Sequence, residues 1–296
     1  MPTPPFRLAV VTGAHTDGLS EGGERIAAAL DERGVTVEPE RWDDPAVDWD
    51  AYDAVLFRSC WEYPEDPSRF RTLLDDLEAS AAAVANPLAA VRWNAHKSYL
   101  LDLEAAGVAI PPTRFVPADS SVALDSLLRE AGWGEAIVKP AVGAMSADVW
   151  RTNPDAAADA ADRFRALVAD GDVIVQQFLP EIHDGERSIV YLGGEYSHAW
   201  NSLPASDDVT TFDGIDADYE PDSRVQRRAS AALAATRDAL DLDPADLPYA
   251  RVDYVERDGD PVVLELELIE PFLGLERGAG ATARFRDTLL AYYEGR

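Results

Sequence analysis

From Tyr249 to Ile269 the chain alternates apolar and charged residues in two runs. They are joined by Arg257-Asp258-Gly259-Asp260, a sequence suited to a tight hairpin turn. In the second run Glu265 and Glu267 alternate with Leu264, Leu266 and Leu268, and a period of two sends the glutamates to one face and the leucines to the other. Asp253 is central in the first run, and Arg251, two residues earlier, shares its face. If the leucines face a core, carboxylates crowd the opposite face and repel one another unless a cation lies among them. A hard divalent ion such as Mg²⁺ suits that face, because it takes carboxylate and phosphate oxygens together. The alternative is an acidic face turned to solvent, common in a chain this acidic.

Net charge is −29, with the acids spread along the chain. That excludes nucleic acid and anionic membrane as expected partners, since both call for a basic surface. It also suggests a salt-adapted, halophilic-type source; full retention of structure on removal of salt would count against this. Only Lys97 and Lys139 are lysines, and the other basic residues are all arginine. Two retained compact ammonium groups are either leftovers or needed where they stand. Cys60 is the single cysteine, so no internal disulfide or cysteine-based zinc cluster forms. There is no apolar run of about 18 residues or more, the length of a membrane span. Residues 1–7 hold three prolines and lack a secretory signal's basic and apolar regions, so a cytoplasmic location is expected.

The first third reads as β-α-β-β-α, which implies a small parallel sheet. Strands are expected over 8–12, 35–39 and 54–57, and helices over 24–33 and 67–83, with a glycine-bearing loop from Gly13 to Gly23. That loop lacks G-x-G-x-x-G, so a dinucleotide-binding dehydrogenase is a weak rival. Further on, helices are expected over 96–106, 121–131, 154–169, 224–240 and 281–293. Strands are expected over 136–139, 173–178, 188–191 and 196–200.

Three other segments suggest chemistry. Lys139 ends the apolar strand Ile137-Val138-Lys139-Pro140, where an ammonium can meet phosphate. A loop of small residues follows, beginning at Gly143 and including Ser146, whose backbone N–H groups can face the same phosphates. An ordinary surface lysine and turn is the alternative. Asn94-Ala95-His96-Lys97 opens a predicted helix with Asn94 as N-cap, and a lysine in a first turn opposes the helix dipole unless an anion is near. Gln176-Gln177-Phe178-Leu179, then Glu186, forms a strand-to-linker passage that suits adenine, with an acid beyond it for ribose hydroxyls. The four histidines are scattered and read as structural or surface residues.

Taken in order, these pieces resemble the ATP-grasp superfamily over residues 86–290. Residues 175–187 resemble the nucleotide hinge of prokaryotic glutathione synthetase. Glu265-Leu266-Glu267-Leu268-Ile269-Glu270-Pro271 is similar to that family's metal strand, with Glu267 where asparagine is usual. Lys97 and Lys139 fall where the superfamily has its two phosphate-contacting lysines. Arg58-Ser59-Cys60-Trp61-Glu62-Tyr63-Pro64, Asn86-Pro87 and Arg92-Trp93-Asn94 are closer still to the branch containing the O-ureidoserine cyclo-ligase of cycloserine biosynthesis.

The resemblance implies a mixed α/β and α+β fold. A Rossmann-like pre-ATP-grasp domain would span 1–90 and an ATP-grasp domain 91–296, with a mobile lid over about 113–180 and a metal-binding part over about 181–296. It implies an ATP-dependent ligase that joins a small carboxylate to an amine through an acyl phosphate, as a monomer or a homo-oligomer. By the same resemblance, Lys97, Lys139, Gly143, Ser146, Gln176, Gln177, Phe178, Leu179 and Glu186 bind ATP. Asp253, Glu265 and Glu267 hold one or two Mg²⁺ ions, with Mn²⁺ as an alternative, and Glu270 either ligates or caps. Arg58 and Trp61 bind substrate, unless Arg58 is a structural arginine beneath Trp61. ATP-grasp enzymes usually carry an arginine in the loop after the lid strands, and residues 201–219 contain none. Arg251 or Arg277 would supply that charge; with neither, the chain would be an ATP-binding sensor without turnover.

Overall fold

A computed structural model describes residues 6–16, 18–206 and 214–295. The first sheet holds β1 (Phe6–Thr12), β2 (Val35–Arg41), β3 (Ala54–Ser59) and β4 (Ala83–Ala85), all parallel, in the order β2-β1-β3-β4. Helices α1 (Glu21–Asp31) and α2 (Pro67–Ala79) cover opposite faces, because alternate strand residues point to opposite sides. Leu8, Val10 and Leu56 pack with Ile26 of α1; Val11, Val55 and Phe57 pack with Phe70 and Leu73 of α2. Helix α1 starts before the predicted point. The Ser20 hydroxyl accepts from the Gly23 amide at 3.3 Å, which draws Gly22 and Gly23 into the first turn rather than the preceding loop. Helix α2 ends before the predicted point, and Ala83, the last residue assigned to it, opens β4 instead.

Helices α3 (Leu88–Asn94) and α4 (Tyr99–Ala105) replace the single helix expected over 96–106. Asn94 therefore closes one helix instead of capping the next, and Lys97 lies in the turn between the two. Next comes an antiparallel sheet of β5 (Thr113–Val116), β6 (Ala136–Pro140), β7 (Trp150–Thr152) and β8 (Val173–Gln177), in the order β5-β8-β6-β7. Helices α5 (Leu124–Ala131) and α6 (Ala161–Asp170) pack on it through Leu128 and Phe164, forming a core of its own.

The third sheet contains β9 (Glu186–Leu192), β10 (Glu195–Leu203), β11 (Ile215–Asp218), β12 (Tyr249–Arg257) and β13 (Asp260–Glu267), in the order β11-β10-β9-β12-β13. Helix α7 (Ser223–Leu240) covers one face through Ala229 and Leu233. Helix α8 (Ala281–Glu294) joins this sheet to the first: Phe285 and Leu289 share one core with Leu8, Val10, Val190 and Tyr249. The buried Tyr249 hydroxyl reinforces the joint, donating to Ile269 O at 2.8 Å and Ala85 O at 3.2 Å.

Candidate active site

The β12–β13 hairpin closes on Asp258 and Gly259, and their positive φ angles of 56° and 77° match a two-residue turn. Its register sets Asp253 opposite Glu265 and Arg251 opposite Glu267. The register then slips between Asp253 and Tyr254, so that Tyr254 faces Val263. Leu264 is the extra residue of this bulge, and it turns to the small cluster of Leu179, Val255 and Val262. Leu266 and Leu268 enter the α7 core as expected, whereas Leu264 departs from the predicted leucine face.

Four charged side chains thus share one face of the hairpin. Arg251 Nε lies 2.9 Å from Asp253 Oδ1, and its Nη2 lies 2.9 Å from Asp253 Oδ2 and 2.5 Å from Glu267 Oε1. Arg251 Nη1 donates to Phe272 O at 2.9 Å, so every branch of the guanidinium is held. Ser188, opposite Asp253 on β9, donates to Asp253 Oδ1 at 2.6 Å. Nothing in the sequence pattern pointed to Ser188 beyond its place two residues after Glu186.

The two lysines arrive from elsewhere. The Lys97 amide donates to Ala141 O at 2.7 Å, pinning the α3–α4 turn to the end of β6, where Lys139 stands. The Lys97 ammonium pairs with Glu265. Asn94 secures the arrangement from behind: its Nδ2 donates to Leu266 O at 2.7 Å, and its Oδ1 accepts from the Leu268 amide at 2.8 Å. A buried side chain thus mimics a neighbouring strand along β13.

The electrostatics show an excess of negative charge. Burial first, then the charges of Asp253 and Glu265, push Glu186 up to about 8. Burial also pushes Glu267 up to about 7 against the pull of Arg251, and it holds Glu270 well above the usual carboxylate range. Burial alone would raise Glu265, but Lys97 and Lys139 outweigh it and hold Glu265 low. Burial brings Lys139 down to about 8, against the pull of Glu265. For Arg251, Asp253 and Glu267 overcome the cost of burial and raise its pKa. Five carboxylates thus face Lys97, Lys139 and Arg251. Glu265 and Glu267 keep 31% and 30% of their side-chain surface exposed. Carboxylate oxygens are the donor type that a divalent cation takes, and such an ion would relieve the surplus charge. In this arrangement Arg251, Lys97 and Ser188 hold carboxylate oxygens, and among the described residues no three acidic, histidine or cysteine side chains converge as a ligand set.

The remaining predicted residues divide. Gln176 is buried and spends its amide on Thr113 Oγ1 at 3.0 Å. The Gln177 amide N–H donates to Pro112 O at 2.9 Å. Phe178 lies beneath the Arg151 guanidinium at 3.8 Å, and Leu179 is buried beside Val255. Glu186 joins the acidic group. Gly143 and Ser146 lie in a loop of consecutive turns; Ser146 is exposed and has a φ of 55°. The Trp61 indole donates to Glu270 O at 3.2 Å, tying the first sheet to the end of the acidic strand. Arg58 is 4% exposed and sits over Phe285 at 5.9 Å. Arg277 pairs with Asp216 at 2.7 Å and lies over Trp200 at 5.5 Å. Of the loop over 201–219, residues 207–213 lie outside the described residues.

Residues 8–86 match the family profile described as D-cycloserine synthetase DcsG, N-terminal domain. Cycloserine biosynthesis protein DcsG of Streptomyces lavendulae is 34% identical over 292 residues, covering 95% of this chain and 97% of that protein. The crystal structure of D-cycloserine synthetase DcsG superposes with a TM-score of 0.86 at 33% identity, covering 97% of this chain and 99% of the other. D-alanine–D-alanine ligase from Bacillus anthracis, complexed with ATP, shares the fold with a TM-score of 0.70 at 18% identity, with 98% of each chain covered.

Proposed function

The chain belongs to the ATP-grasp ligase family that includes cycloserine biosynthesis protein DcsG, and we propose that it activates a small, amino-acid-like carboxylate as an acyl phosphate and joins it to an amine. The observation that carries this reading is the meeting of Lys97 and Lys139, from two separate elements, with the carboxylate face of β12 and β13.

In this reading Lys97 and Lys139 neutralise the α- and β-phosphates of ATP. Gln176, Gln177, Phe178 and Leu179 line the adenine side, and Glu186 serves the ribose end. Residues 113–180 act as a lid, and the loop bearing Gly143 and Ser146 folds over the γ-phosphate. Asp253, Glu265 and Glu267, with Glu270 beside them, would hold Mg²⁺, whose charge would offset the negative charge that develops during phosphoryl transfer. Arg251, held on this face by Asp253 and Glu267, would turn its charge to the transferred phosphoryl group. This arrangement favours turnover over a silent sensor, because it supplies the arginine that the 201–219 loop lacks. A substrate carboxylate oxygen attacks the γ-phosphorus and ADP departs. The amine then attacks the acyl carbon and inorganic phosphate departs. Lid closure keeps water from the acyl phosphate. Arg58 and Trp61 belong to the substrate side.

The test is ADP release with Mg²⁺ across amino acids and O-substituted serines, wild type against Lys139→Ala. Release that requires one substrate and disappears in the variant supports the ligase reading. Tight ATP binding with no substrate-dependent ADP refutes it.

A further inference from the structure

The turn that joins α3 to α4 carries His96 beside Lys97, and it meets the second sheet at three points. The Lys97 amide donates to Ala141 O at 2.7 Å, just past the end of β6. The His96 ring stands against the Phe115 ring of β5, with centroids 5.5 Å apart. His96 Nε2 lies 3.4 Å from Oδ2 of Asp172, a residue in the short link between α6 and β8. The other ring nitrogen, Nδ1, accepts from the Ser98 amide at 3.4 Å and lies 2.8 Å from the Ser98 hydroxyl. In the neutral ring an accepting Nδ1 leaves the proton on Nε2, the atom nearest Asp172.

Asp172 gathers these contacts. Its Oδ1 accepts from the Ala118 amide after β5 at 2.7 Å, and its backbone carbonyl accepts from the Ala141 amide after β6 at 2.8 Å. One residue thus ties the exits of β5 and β6 to the entry of β8 and to the turn bearing Lys97. Ala141 closes the circuit, two residues beyond Lys139: its N–H goes to Asp172 and its C=O to Lys97.

Lys97 and Lys139 lie in each other's field and repel, so their approach has to be held by the backbone that carries them. In the ligase reading, on which this inference rests, both meet one polyphosphate. We propose that Asp172 and His96 are positioning residues, which hold the Lys97 turn against the second sheet and so set the spacing of Lys97 and Lys139 on the phosphates of ATP. Neither touches the nucleotide in this assignment; both act through Lys97.

Magnitude and sign separate positioning from plainer roles. The side chains of His96 and Asp172 keep 34% and 33% of their surface exposed, and a pair so exposed contributes little to folding. Its loss should leave the urea midpoint almost unchanged. Asp172→Asn also removes a negative charge near a polyanion site, which by field alone tightens ATP binding. Positioning predicts the opposite: weaker binding. Asn keeps an oxygen for the Ala118 amide and turns an NH₂ to the imidazole, so the His96 contact alone is lost.

The experiment is calorimetric titration of the full chain with ATP and Mg²⁺, with urea unfolding on the same samples. Asp172→Asn and His96→Ala should each weaken ATP binding about tenfold. His96→Gln, whose amide can donate to Asp172, should stay within about threefold of wild type. In a Lys97→Ala background Asp172→Asn should change affinity by less than about twofold, because the group it acts through is gone. Unchanged or tighter binding in Asp172→Asn, a tenfold loss that persists without Lys97, or His96→Gln as weak as His96→Ala overturns the proposal. If Lys97→Ala binds too weakly to compare, the sign of the Asp172→Asn effect and the glutamine rescue decide. A wild type that does not bind ATP, or a Lys97→Ala variant that binds it as tightly as wild type, defeats the phosphate assignment of the ligase reading. ATP binding that depends on Lys97 and not on Asp172 defeats the positioning alone.

Discussion

The proposed contact of Lys139 with a phosphate would link nucleotide binding to pH. The Lys139 ammonium stands near the end of β6 in a half-buried position, where desolvation lowers its pKa to about 8, with Lys97 adding to the fall and Glu265 and Glu186 opposing it. Bound ATP would place several negative charges against that ammonium and raise its pKa. Binding therefore favours the protonated form, and affinity declines as pH rises through the free-state value. With that value at about 8, the free protein is about nine-tenths protonated at pH 7 and about one-tenth at pH 9. The Kd for ATP should weaken about tenfold over that interval, equivalent to about 1.4 kcal/mol. At pH 8 binding should take up about half a proton at this site. Glu186, also brought to about 8, acts in the same direction because its ionisation adds negative charge. Two variants separate the contributions. Lys139→Arg keeps a cation across the range and should flatten the profile, whereas Glu186→Gln should leave the lysine's share. The assay is calorimetric titration with a non-hydrolysable ATP analogue from pH 7 to 9, in buffers of different ionisation heat. A flat profile in wild type, or an equal slope in Lys139→Arg, refutes the assignment of Lys139 to a phosphate.

Asn94→Ala removes both bonds to the backbone of β13 and leaves buried polar groups unmet. It should lower stability by about 2–4 kcal/mol, read from urea midpoints, and weaken ATP binding through displacement of Lys97 and Glu265. Mg²⁺ at about a hundred times its Kd should raise unfolding free energy by about 2.7 kcal/mol. Most of that gain should vanish in Glu265→Gln, and thermal melts with Mg²⁺ or EDTA that coincide in wild type would count against the metal assignment. Burial lowers the pKa of His198, whose Nε2 contacts Leu273 O at 2.7 Å. The unfolded chain therefore takes up this proton first, so the contribution of His198 is whole above about pH 6.5 and fades as pH falls further. The loss of urea stability from pH 7.5 to pH 5 should be smaller in His198→Gln, and an equal loss would show that His198 is not its source.

Sequence alone determined the local repeats and their chemical types. The β12–β13 hairpin was legible because its turn and its period of two are local, and that period placed Asp253, Glu265 and Glu267 together. Lys139 at a strand end was legible for the same reason, as was the alternating βα pattern of the first sheet. The short strands β4, β5, β7 and β11 were not, since three or four residues carry too little periodicity and depend on partners distant in the chain. The bulge that turns Leu264 away from the other leucines was equally hidden, because a register is shared between two strands. The helix assigned across Lys97 gave way to two helices, with Asn94 engaged on β13, 172 and 174 residues away in sequence. Only the tertiary structure decided that Ser188 and Arg251 hold Asp253, that Glu186 joins the acidic group, and that Arg58 Nε and Nη1 and Glu62 Oε2 are buried without hydrogen-bond partners. The physical reason is common to these cases. Residue type and spacing determine what a side chain can offer, whereas burial and charge compensation depend on what the rest of the chain brings against it.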